Sequence, residues 1–100
     1  MDMTQNSDSS RFLTKVTVLV RIREGILDPQ GQAVCQALHD MGENDIFTIR
    51  VGKIIEIFLP SSEDTEERVR RWCDRILSNP LVENYEIQGI EPVRQQPMSV

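Results

Sequence analysis

Few residues in this chain of 100 are of a kind that breaks bonds, and their spacing does not assemble a reaction. A nucleophilic triad needs a base beside a Ser, Cys or Thr. The single histidine, His39, falls inside a helical pattern next to Leu38, where it reads as a boundary side chain. Glu24, Glu43, Asp45 and Glu56 lack the spacing of a paired acid and base. Cys35 and Cys73 form no Cys-x-x-Cys pair and have no histidine cluster, so neither zinc nor a redox couple is indicated. They read as reduced thiols packed in or near the core. No glycine-rich phosphate loop is present.

Recognition is left, and Leu27–Gly42 is the stretch most specialised for it. Asp28 can cap a helix by accepting backbone N–H groups that have no intrahelical partner. Pro29 suits the first helical position, where its missing N–H costs nothing. Val34, Leu38 and Met41 recur at i, i+4 and i+7 beside Ala33 and Ala37, and predict an apolar face. Gly42 is placed to end the helix in the left-handed region. Gly31 breaks the pattern, because a first turn favours Glu or Gln. It signals either a close approach by another backbone or ligand, or a glycine tolerated at a frayed helix start.

The surrounding elements read as follows. Residues 12–23 form a strand, with Val16, Val18, Val20 and Ile22 on one face. Residues 46–59 are a second β region interrupted at Gly52-Lys53, either a hairpin or a long strand bulged at Gly52. Both readings keep Arg50 and Lys53 near the break, and Pro60 closes the region. Phe47 and Phe58 read as core, not as the exposed aromatics of an RNA-binding sheet. A second helix begins at a capping box of Asp64 and Glu67. It continues through Val69, Trp72, Cys73, Ile76 and Leu77, the clearest amphipathic stripe in the chain, and ends at Asn79-Pro80. Its arginines Arg68, Arg70, Arg71 and Arg75 read as a solvated face, with Glu66–Arg70 and Glu67–Arg71 paired at i, i+4. Residues 82–87 form a last strand, with Tyr85 and Ile87 facing inward.

The order β-α-β-β-α-β predicts an α+β, ferredoxin-like two-layer sandwich: a four-stranded antiparallel sheet with both helices on one face. Tails at 1–11 and 91–100 read as disordered around a domain at 12–90. Domains near that size bury only about 60% of their unfolded surface, so a partner subunit is expected to complete the core. The net charge of −5 argues against nucleic acid, and no apolar run is long enough for a membrane span, which favours the cytoplasm.

Leu27-Asp28-Pro29-Gln30-Gly31, then Ala33-Val34, Ala37-Leu38-His39 and Val51-Gly52-Lys53, together resemble the small S subunit family (PurS) of phosphoribosylformylglycinamidine synthase. So does the run Cys73–Tyr85, and the likeness covers about residues 13–91. The resemblance implies a dimer or higher even oligomer, whose protomers can exchange elements. It implies a non-catalytic subunit joining a glutaminase and a large synthetase subunit in purine biosynthesis, with a part in ammonia transfer. ATP and Mg would be used by the synthetase subunit, and no cofactor would be bound by this chain alone. Asp28, Pro29, Gln30 and Gly31 would shape a loop and helix start at a subunit contact. Arg50, Gly52 and Lys53 would place two cations at a strand break, suited to a partner's carboxylate. The rival reading is a free-standing ligand-sensing regulatory module of ferredoxin-like fold.

Overall fold

The computed structural model describes residues 12–94. The expected tail at 1–11, and residues 95–100 of the one expected at 91–100, lie outside the described residues. The chain builds an α+β fold of two helices and a three-stranded antiparallel sheet, in the strand order β2-β1-β3. The strands are β1 (Phe12–Ile22), β2 (Gly52–Pro60) and β3 (Glu83–Arg94). The helices are α1 (Pro29–Asp40) and α2 (Thr65–Trp72), the latter extended by a π-helical turn, Cys73–Leu77.

β1 is central because its alternation lets it bury one face against neighbours on both sides. Val16, Val18 and Val20 are 0–1% exposed, and with Leu59, Val69 and Cys73 they form the core. Opposite them stand Ile57 and Ile55 of β2, and Ile90, Ile87 and Tyr85 of β3. Burying side chains of this size stabilises by about 1.5–3 kcal/mol each. The register with β3 shifts between Thr17 and Val18, whose partners are Gly89 and Ile87. The bulge thus lies in the third strand, at Gln88. β3 also runs past residue 90, where the loss of apolar period suggested a tail, because Pro92 and Val93 still pair with Thr14 and Leu13.

Three expectations are corrected. The sheet has three strands among the described residues, not four, because residues 46–51 are not a strand. Neither α1 nor its apolar face joins the core: only Gly31 of that helix is buried, while Val34 is 43% and Met41 74% exposed. α2 alone covers the sheet. Phe47 and Phe58 are not core either, at 95% and 53% exposed, because Phe58 lies on the uncovered sheet face and Phe47 outside the sheet.

Helix ends follow their chemistry unevenly. α1 closes as a Schellman motif: Gly42 has φ +100°, its N–H donates to His39, and the Glu43 N–H donates to Leu38. The capping box at α2 does not form. The Asp64 side chain caps nothing and instead accepts the Ser62 hydroxyl at 2.6 Å, while Thr65 Oγ1 donates to the Ser62 carbonyl. Of the two i, i+4 pairs expected along α2, Glu66–Arg70 closes at 2.8 Å.

Candidate functional site

Asp28 is the centre of the site because its two oxygens serve two different elements. Oδ1 accepts the Gly31 N–H at 2.9 Å, which is the cap. Oδ2 accepts the Val51 N–H at 2.8 Å, from a segment 23 residues away. Both donors favour the ionised form. The Gly31 amide, then the Val51 amide and the charge of Arg50, hold the carboxyl below its ordinary range.

The segment 46–51 is therefore a strap laid along α1. At the helix C-terminal end, His39 Nε2 donates to the Ile46 carbonyl at 2.9 Å. This bond requires the proton on Nε2, because a carbonyl only accepts. Cys35 Sγ lies 3.6 Å from the same nitrogen. At the N-terminal end the strap passes so close to Gly31 that a Cβ there would stand 2.1 Å from the Ile49 carbonyl oxygen. The anomalous glycine marks a close backbone approach, the first of the two readings its position allowed.

Arg50 ties the strap to the sheet. Its guanidinium donates to the Ile22 carbonyl and lies 3.4 Å from Glu24 Oε2. Gly52 then begins β2 opposite Arg21. It is neither a hairpin turn nor a bulge, and its φ is not positive. Glycine is needed for another reason: a Cβ would lie 2.6 Å from the Val20 carbonyl oxygen.

Lys53 stands on the same sheet face as Ile55 and Ile57, opposite Val20, yet is exposed. Among the described residues no carboxylate pairs with it. Together with Pro29, Gln30, Gly52 and Glu83 it lines a hollow of about 430 Å³ on one side of Asp28. On the other side a second groove of about 430 Å³ runs between the 23–28 loop and the strap, past Gly31, Cys35, Phe47 and Arg50. Both arginines in that groove already donate to carbonyls of the chain, Arg23 to Pro80 and Arg50 to Ile22. The structure thus gathers the other six expected site residues around the Asp28 carboxylate, split between two hollows. Sequence reasoning missed His39 and Val51 as members of the site. The spare second oxygen of a capping Asp was the only signal for Val51.

The arrangement holds a strap against a helix and, among the described residues, leaves Lys53 at its edge without an ion pair. Among the described residues no cluster of three or more metal-ligating side chains occurs. No described helix is long and apolar enough to cross a membrane.

Comparison with known proteins places these features. A family model described as PurS, phosphoribosylformylglycinamidine (FGAM) synthase, matches residues 15–91. The Bacillus subtilis phosphoribosylformylglycinamidine synthase subunit PurS is 39% identical over 82 residues, covering 81% of this chain and 98% of its own. A crystal structure of B. subtilis PurS superposes with a TM-score of 0.69 at 36% identity, over 81% of this chain and 99% of that one. A Methanocaldococcus jannaschii PurS is described as one of the subunits of formylglycinamide ribonucleotide amidotransferase in the purine biosynthetic pathway. It superposes at 0.66 with 28% identity, over 83% of this chain and 99% of its own. A chain in the structure of PurLQS from Thermotoga maritima superposes at 0.65 with 26% identity, over 81% of this chain and 98% of its own. With the family match running from β1 into β3 and both hollows inside it, the chain belongs to the PurS family of phosphoribosylformylglycinamidine synthase.

Proposed function

We propose that this chain is the non-catalytic assembly subunit of a phosphoribosylformylglycinamidine synthase complex. It bridges a glutaminase and a synthetase subunit, and it helps ammonia pass between them. The complex converts formylglycinamide ribonucleotide to formylglycinamidine ribonucleotide with ATP and glutamine. ATP and Mg belong to the synthetase, this chain binds no cofactor alone, and the complex works in the cytoplasm.

The observation that carries this reading is the uncovered apolar surface of α1 and its strap. Phe47 on the strap is 95% exposed and Met41 at the C-terminal cap of α1 74%, and the helix stands off its own sheet. Apolar surface of this kind in a family of complex subunits is surface for another chain. The outer face of the sheet adds to it: Ile54 and Phe58 are each 53% exposed there, and β2 and β3 both leave an open edge. A homodimer, or a higher even oligomer with exchanged elements, covers such surfaces symmetrically. Asp28, Pro29, Gln30, Gly31, Arg50, Gly52 and Lys53 form a subunit contact, with Gln30 and Lys53 making the direct contacts and the others shaping the backbone.

Reconstitution tests the reading. Mixed with a glutaminase and a synthetase of this pathway, the chain should restore glutamine-dependent synthesis. Alone it should hydrolyse neither glutamine nor ATP. Synthesis that proceeds equally without the chain overturns the proposal. So does turnover by the chain alone that vanishes when one of its own residues is changed.

A further inference from the structure

The outward face of α2 carries a second surface that the Asp28 site does not use. Arg68, Arg71 and Arg75 recur at i, i+3 and i+7 and so share one face. The Arg68 guanidinium lies 5.1 Å over the centroid of the half-buried Trp72 ring. Arg71 and Arg75 are exposed, and among the described residues neither has an ion pair, whereas Arg70 is taken by Glu66. The nearby Asp64 carboxylate accepts the Ser62 hydroxyl and also feels the charges of Arg68 and Arg71, without closing an ion pair with either.

The π turn adds an apolar group at the C-terminal end of this stripe. An uninterrupted α-helix would send Val69, Trp72, Cys73, Ile76 and Leu77 to one stripe. The Ser78 N–H instead reaches the Cys73 carbonyl at 3.2 Å, and the Ser78 hydroxyl donates to the same oxygen at 2.9 Å. The extra residue in the turn keeps Cys73 buried and Leu77 packed but turns Ile76 out to 78% exposure. Turns of this type recur at functional sites. Here the irregularity removes an isoleucine from its expected burial and sets it beside unpaired arginines.

We propose that this α2 face docks an acidic surface of a different protein subunit, with Ile76 seated in an apolar recess at the C-terminal end of the stripe. The inference rests on the assembly role proposed above. Charge selects the occupant. The chain carries −5 overall, so a cationic stripe is a local exception on which an acidic partner can land. A second copy is the wrong occupant, because a two-fold contact through this stripe would set arginines against arginines. Arg and Trp side chains with an aliphatic neighbour are also the composition of an interface centre.

Two variants test it, Arg71→Glu with Arg75→Glu, and Ile76→Ser. All three positions are exposed, so both variants should melt as the wild type does. Affinity for each purified partner subunit is read by sedimentation at about 0.1 M and about 1 M salt, where the screening length falls from ~10 to ~3 Å. The double reversal should weaken binding to one partner tenfold or more at low salt, with a smaller effect at high salt. Ile76→Ser should weaken it several-fold at both. Wild-type binding by both variants overturns the docking face while leaving the assembly role standing. Loss of self-association with partner binding intact overturns the choice of occupant. Failure of the wild-type chain to bind either partner overturns the assembly role, and this face with it.

Discussion

Replacing Gly31 with alanine sets two effects of opposite sign against each other. Alanine is the better helix former by about 0.8–1.0 kcal/mol, which alone would raise stability. The added Cβ would also stand 2.1 Å from the Ile49 carbonyl oxygen and 2.9 Å from its carbon. Ordinary contact begins near 3.4 Å, so the strap or the helix must give way by about 1.3 Å. The opposing atoms are backbone, and no rotamer change can relieve them. Overpacking typically costs about 1–3 kcal/mol, and a backbone clash of this depth belongs in the upper half of that range. The net expectation is a loss of ~1–2 kcal/mol, or roughly 4–8 °C of melting temperature per kcal/mol in a domain this size. The assay must see the strap. The one tryptophan, Trp72, packs against the core, so its fluorescence reports the sheet and α2. Far-ultraviolet dichroism and exchange of the Val51 amide, which donates to Asp28 at 2.8 Å, report the strap and α1. Gly31→Ala should speed Val51 exchange about tenfold, in line with a 1.4 kcal/mol loss. Gln32→Ala, at the adjacent exposed position, should leave it unchanged. A raised melting temperature with unaltered Val51 protection would refute the close-approach account and leave helix propensity as the whole effect.

Three further outcomes follow from the same geometry. Asp28 has its carboxyl held low in the folded chain, chiefly by the Gly31 and Val51 amides, so its contribution is complete above the unfolded value of about 3.9 and disappears as pH falls through the lower folded one. Val51 protection followed by exchange should collapse on acidification in the wild type, and Asp28→Asn, which keeps a single acceptor oxygen, should show low protection with no such step. Lys53→Glu should change stability by no more than about 0.5 kcal/mol, since the lysine has no ion pair among the described residues, yet reduce glutamine-dependent synthesis in the reconstituted complex; unaltered synthesis would remove Lys53 from the contact. Gly52→Val should lower the melting temperature because its Cβ would lie 2.6 Å from the Val20 carbonyl oxygen, and a melt equal to wild type would show that β1 and β2 can part there at no cost.

What could be read from the sequence was whatever the chain satisfies within itself. β1 was legible because Val16, Val18 and Val20 alternate and are buried by this chain's own β2, β3 and α2. The cap of α1 was legible because Asp28 and Gly31 are three residues apart and the bond is local. The strap was not. Phe47, Ile49 and Val51 alternate as a strand does, but the backbone groups that would pair with a strand are taken by side chains of α1, His39 at one end and Asp28 at the other. Periodicity records which side chains avoid water and says nothing of where the backbone bonds go. The same distinction explains the two helices. Val34, Leu38 and Met41 are spaced for burial, yet within this chain they lie on a helix that contributes nothing to the core. Ile76 is spaced for burial too, and the π turn takes it out. These are the positions at which a subunit differs from a self-sufficient domain. Their spacing anticipates a covering surface that the chain's own sheet does not supply, and the proposed assembly would supply it.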